Sequence, residues 1–253
     1  MMVHPGVLPV LHRDPHLVAV DKPSGLLVHR TDLDRHERHW ALQIVRDQIG
    51  QRVYAVHRLD RGTSGVLLFA LSPEVARRLG AQFEGREVSK TYLALVRGHP
   101  PEAGVIDHPL GRRPEDRDRV AWAETGGPQP AVTRYRRLTA VELPYRVDRY
   151  PTSRYALLAV EPLTGRRHQI RRHLKHAAHP VIGDATYGKG QHNRLFERLF
   201  GCRRLLLACV ELRLAHPVTG EPLAITAPLA PDFAAVLRAC GCAAAVPAPW
   251  LAA

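Results

Sequence analysis

The chain has 253 residues, 45% apolar and 24% charged. That is enough for one large domain or two modest ones with a real core, and too apolar for a disordered protein. Its 36 basic residues outnumber 24 acidic ones for a net charge of +12, and only four of the 36 are lysines. Arginine offers a planar fork of donors suited to phosphates and base edges, so the composition points to a polyanionic partner, usually nucleic acid, against the plainer reading of an arginine-biased proteome.

The longest proline-free apolar runs, such as Val66 to Leu71, are six residues, far below the roughly 18–20 of a membrane helix. The start, Met-Met-Val-His-Pro-Gly, has no signal-peptide character, so a cytoplasmic protein is expected. Cys202, Cys209, Cys240 and Cys242 form no C-x-x-C pair and read as free thiols.

In chain order, Val7–Leu11 and His16–Val20 read as short strands around Arg13-Asp14-Pro15. Trp40, Ile44, Val45 and Ile49 recur at helical spacing with Gly50 as a stop. Val66–Leu71 reads as a buried strand. Ser72-Pro73 then starts a helix with a hydroxyl N-cap and proline at its first position, and Gly85 closes it. Thr91–Val96 alternates as a strand. Residues 99–130 carry six prolines and mixed charges and read as a loop-rich insertion, mostly loop with room for short strands. Residues 131–138, 155–160 and 205–214 read as strands. A turn at 216–220 leads to Leu223–Thr226, a short helix follows Asp232, and a flexible tail covers 241–253. Strands and helices intersperse without a βαβ rhythm. The expectation is an α+β fold with a mixed, largely antiparallel sheet flanked by helices and loops. No glycine-rich nucleotide loop occurs.

Three segments could carry chemistry. In His57-Arg-Leu-Asp60-Arg-Gly-Thr-Ser-Gly65 one acid stands between two arginines in a turn that enters an apolar strand. Neighbouring cations keep such a carboxylate ionised, fit to act as nucleophile or base; the alternative is a surface turn whose Asp caps its own backbone. Gly165-Arg-Arg-His-Gln-Ile-Arg-Arg-His-Leu-Lys-His176 has five formal positive charges in 12 residues and no acid. It reads as a helix presented to phosphate, or as a solvated basic face. Its histidines, with His179, lack the acid or cysteine companions of a zinc site, and no metal is expected. Tyr92, in Lys90-Thr-Tyr-Leu-Ala-Leu-Val96, is either a packing residue or a stacking face for an extruded base. A lone carboxylate among cations differs from the carboxylate pair of glycoside hydrolases.

The His57–Gly65 segment resembles the signature of the RluA-type pseudouridine synthase family. Asp21-Lys-Pro-Ser-Gly-Leu-Leu-Val-His29, Lys90-x-Tyr92-x-Ala94, Gly165–Arg171 and His179-Pro-Val-Ile-Gly-Asp184 resemble its other motifs in the same order. Val45–Gly50, Gly127–Thr133, Arg149-Tyr-Pro-Thr152 and Arg171–Leu174 are similar to a tRNA-directed branch of it. The resemblance implies a pseudouridine-synthase catalytic domain over 10–240 and isomerisation of a uridine in tRNA, at position 65 in the acceptor-side stem. Ribosomal RNA is the alternative target, and a non-catalytic RNA-binding protein the alternative class. It implies no cofactor. Asp60 would be the catalytic carboxylate, Arg171 its ion-pair partner, Tyr92 a stacking and proton-handling residue, and Ile170 the packing beneath the base. Arg58 would replace the extruded base, with Arg61, Lys22, His168 and Arg167 as further RNA contacts. A monomer is expected, since no coiled segment advertises a partner.

Overall fold

The computed structural model describes residues 6–29, 39–111 and 127–251. Among the described residues ten strands form one sheet: β1 (Val10–Arg13), β2 (Leu17–Lys22), β3 (Tyr54–Ala55), β4 (Ser64–Ala70), β5 (Ser89–Arg97), β6 (Ala103–Asp107), β7 (Val132–Leu143), β8 (Ser153–Pro162), β9 (Leu207–Ala215) and β10 (Pro222–Thr226). Their spatial order is β1-β2-β4-β9-β5-β8-β7-β6, with β3 beside β4 and β10 beside β9. The α-helices among the described residues flank it: α1 (Ala41–Ile49), α2 (Pro73–Glu84), α3 (Gln169–His176), α4 (Gly190–Phe200) and α5 (Pro231–Ala239). The expected α+β class with a largely antiparallel sheet is what forms.

Among the described strands, β4 and β9 make the parallel pair, and only through Ser64↔Ala208 and Gly65↔Cys209. Gly65 sits at φ +107, and a Cβ there would run into the Cys209 carbonyl, so the close approach requires glycine. Beyond that junction β4 and β9 part.

Both faces of the sheet are covered, and strand alternation divides the core. Tyr92, Ala94 and Val96 face one side with Ile44, Val45, Leu79 and Ile170; Leu93 and Leu95 face the other with Phe196, Phe233 and Leu237. On β9 the alternation breaks: Leu207 and Cys209 share a face with Leu212 and Leu214. The register shift opposite Thr91 and Tyr92 leaves Val210 as the extra residue of a bulge, which flips the pattern.

Local signals set the helix ends. Ser72 Oγ accepts from Val75 N at 3.3 Å with Pro73 at the first position of α2. Gly50 ends α1 at φ 72. Gly85 stays right-handed, and the left-handed residue after α2 is Arg86 at φ 62. Within the insertion one short strand forms: β6 pairs with β7, and Leu110 bridges Gln129; residues 112–126 lie outside the described ones. The tail differs from expectation. Cys242 and Val246 are buried, short 3-10 turns span Ala243–Ala245 and Ala248–Trp250, and Leu229 N donates to Trp250 O at 2.8 Å. Apolar contact with Phe233 and Leu237 holds a segment whose alanine and proline content suggested fraying.

No helix among the described residues is long and apolar enough to cross a membrane.

Candidate functional site

A cleft of about 540 Å³ opens beside the β4–β9 junction, with Thr63, Tyr92 and Leu207 on its wall. Its rim and floor come from the loop before β4 (Val56–Asp60), the end of α2 (Phe83, Glu84, Arg86), the start of β5 and the run Pro162–Arg171. Among the described residues, six side chains of Arg or Lys and two carboxylates, Asp60 and Glu84, line it, a balance that favours a polyanion. Of the residues singled out in the sequence, it gathers Arg58, Asp60, Tyr92, Arg167, His168, Ile170 and Arg171.

The Asp60 loop is held from beneath by the Asp21–Gly25 motif. Gly25 N donates to Arg61 O at 2.8 Å, Arg61 Nε to Gly25 O at 3.1 Å and Ser24 Oγ to Gly62 O at 2.7 Å. Lys22 completes the clamp and corrects an expectation. Expected at the RNA surface, it is instead fully buried, with Nζ donating to Pro23 O, Leu26 O and Arg61 O at 2.9, 2.7 and 3.2 Å. Burial and the nearby Arg204 guanidinium push its pKa down to about 7, against the pull of Asp60 and Asp21. Arg61 is exposed but lies outside the cleft lining.

On the opposite wall, Gln169 fixes the start of α3. Its Oε1 accepts from Thr164 Oγ1 and Arg166 N, and its Nε2 donates to Val132 O at 2.9 Å. This presents Ile170 and Arg171 to the cleft. Arg171 donates to Asp60 Oδ2 through Nη1 at 3.2 Å, and to Asp184 through Nε and Nη2 at 2.7 and 2.8 Å. Asp184 is the residue sequence reasoning missed; Gly183-Asp184 was recognised as a motif without a role. Burial alone would push its carboxyl up. The Arg171 hydrogen bonds and charge, with the N–H groups of Tyr187 and Thr186, overcome that and hold it below the usual range. Burial works against the Arg171 charge too, and the two carboxylates raise its pKa above the ordinary value.

Tyr92 is 9% exposed. Burial, then the neighbouring Cys209 and Asp60, raise its hydroxyl well above the usual range, so it stays protonated at neutral pH. His168 sits at φ 56, ψ 24, a left-handed conformation uncommon for a non-glycine residue. Its Nδ1 pairs with Tyr187 Oη at 3.0 Å and its Nε2 lies 3.9 Å from Asp60 Oδ1. Burial, with Arg171 and Arg167, lowers its pKa against the pull of Asp60. His57, next to the signature arginine, is a packing residue. It stacks on Phe83 at 5.0 Å and accepts from Leu68 N, and burial drives its pKa to about 3. The other histidines that crowd the sequence are spoken for. His173 bonds Thr133 and the His108 carbonyl, His176 stacks on His108 and His179 bonds the Arg97 carbonyl. Among the described residues no group of three or more His, Cys, Asp or Glu is placed to hold a metal ion.

Residues 16–176 match a family described as RNA pseudouridylate synthase. The chain is 54% identical over 224 residues to a tRNA pseudouridine synthase C of Pectobacterium carotovorum subsp. carotovorum, covering 87% of this chain and 59% of that protein's length. Proteins of the same name from Yersinia pestis and Salmonella typhi are each 51% identical, over 87% and 93% of this chain and 86% and 90% of theirs. Among solved structures, human RNA pseudouridylate synthase domain containing 1 superposes with a TM-score of 0.70 at 27% identity, covering 93% of this chain and 90% of that one. Human RNA pseudouridylate synthase domain containing 4 gives 0.69 at 27%, covering 92% and 93%.

Proposed function

The chain belongs to the RNA pseudouridylate synthase family, and from that premise we propose that it isomerises a uridine of tRNA to pseudouridine. The observation that carries the reading is the Asp60–Arg171 pair set into a cationic cleft beside Tyr92 and Ile170. The names of the relatives support tRNA as the substrate, and the resemblance of the motifs points to uridine 65 in the acceptor-side stem.

In this reading the target base leaves the duplex, at a cost of a few kcal/mol in unpairing and unstacking. Arg58, exposed on the cleft rim, takes its place in the stack. The uracil lies between Tyr92 and Ile170. Asp60, tied to Arg171, acts on the ribose. Attack on C1′ and removal of the C2′ proton both need the ionised carboxylate. The bond from C1′ to N1 breaks, the uracil turns, and C5 bonds to C1′. The C5 proton is lost and N1 gains one, so the reaction is redox-neutral. Tyr92 keeps its own proton, so any proton it takes from C5 is matched by one it gives up.

The test is incubation with unmodified tRNA transcripts and, separately, ribosomal RNA, followed by carbodiimide-adduct primer extension, with Asp60→Ala alongside. The expected result is one stop in the acceptor-side stem of tRNA. Asp60→Ala should abolish it while tRNA affinity stays within about tenfold, the loss being one of chemistry and not of phosphate contacts. A stop only in ribosomal RNA overturns the target. No stop in either RNA, with tight tRNA binding, overturns the isomerase reading.

A further inference from the structure

We propose that Asp184 is a positioning residue for this reaction, holding Arg171 so that Asp60 keeps one carboxylate oxygen, Oδ1, for the ribose. The proposal rests on the isomerase reading above. A guanidinium presents its donors as a fork and grips a carboxylate through both oxygens when it is free to do so. Here Asp184 receives that grip, from Nε at 2.7 Å and Nη2 at 2.8 Å. Asp60 receives what is left, a single bond from Nη1 to Oδ2 at 3.2 Å. Oδ1 of Asp60 has His168 Nε2 at 3.9 Å, beyond hydrogen-bond length.

Asp184 is built to stay in place. Its side chain is fully buried, and its Oδ1 also accepts the N–H groups of Thr186 and Tyr187, both at 2.9 Å. The Tyr187 ring lies 5.0 Å from the guanidinium carbon and bounds its other side. Gly183, at φ +78, is packed so tightly against the Arg204 carbonyl that no Cβ fits, which fixes the turn delivering Asp184. Without that anchor the fork is free to close on Asp60 and occupy both of its oxygens.

The test is Asp184→Asn, assayed on tRNA for kcat and KM, alone and combined with Arg171→Lys. The expected result is a folded protein with kcat down by about 10²-fold, as for a misplaced catalytic group, and KM within about twofold, because the buried Asp184 touches no RNA. Lysine cannot fork. Arg171→Lys should therefore cost less in the Asp184→Asn background than in the wild type. Unchanged kcat, a loss confined to KM, or two losses that simply multiply overturns the proposal. Should Asp184→Asn not fold, Asp184→Glu carries the same test, since it keeps the charge and moves the guanidinium a methylene toward Asp60. A readout without RNA separates this proposal from the isomerase reading. Hydrogen exchange at Arg171 Nε should be slow in the wild type and in Asp60→Asn, and fast in Asp184→Asn. Fast exchange in the wild type overturns the anchoring, whereas slow exchange in a protein inactive on every RNA overturns only the isomerase reading.

Discussion

Arg171→Ala separates the structural from the chemical role of the charge cluster. The variant strips two carboxylates of their shared cation. Asp60 is 19% exposed and can recover water, but the Asp184 side chain is fully buried and keeps only two backbone N–H donors. Removing one partner of a buried pair costs about 3–5 kcal/mol, or about 6–20 °C in Tm for a chain of this size. The cost depends on pH in a defined sense. In the wild type the folded pKa of Asp184 is depressed, so its contribution is complete above the unfolded value of 3.8 and fades only as pH falls further. In the variant, burial is left largely unopposed and the folded pKa rises above the unfolded one. Through Asp184 the variant therefore gains stability on acidification, while the wild type gains none from that group. Urea unfolding at pH 8 and pH 5 should show a large difference at pH 8 that narrows at pH 5, with Arg58→Ala, exposed on the rim, within about 0.5 kcal/mol of wild type at both. A difference below about 1 kcal/mol at pH 8, or one that widens on acidification, refutes the reasoning.

Arg58→Ala should lower activity on stem substrates more than on short single strands, since only the stem has a gap to fill; equal losses in parallel rate measurements would remove that role. Lys22→Met removes a donor from three backbone carbonyls; Arg61 O keeps Gly25 N, and Pro23 O and Leu26 O are left unsatisfied, at about 1–3 kcal/mol each. It should lower both Tm and kcat, with tRNA affinity by filter binding nearly unchanged. Gly65→Ala puts a methyl group into the Cys209 carbonyl at a positive φ. Soluble folded protein should be lost, and a well-folded Gly65→Ala by circular dichroism would mean that β4 and β9 do not pack as closely as described.

The parts of the fold that were legible have local causes. The run Val66–Leu71 and the Ser72-Pro73 start gave β4 and α2 within a residue or two. Helix α4 was not foreseen: no side chain caps it, and its buried stripe, His192, Leu195 and Phe196, is narrow and partly polar. The site was legible where its residues are contiguous, around Asp60 and along Gly165–Arg171. Asp184 was not, because its part is a contact across 13 residues of chain. Lys22 was misread for a related reason. Sequence shows a charge, but not that strands close over it and that carbonyls meet it there.

The place of β9 in the sheet orders events in time. Asp60 stands just ahead of β4 and Tyr92 lies on β5, yet these two strands are not neighbours; β9, residues 207–215, lies between them. A growing chain that has emerged only as far as His176 holds Asp60, Tyr92 and Arg171 and still lacks the strand that sets the first two side by side. The cleft thus closes late in synthesis, and pairings this distant in sequence are slow to form. The catalytic half of the molecule takes its geometry from a strand that carries none of the residues proposed for the chemistry.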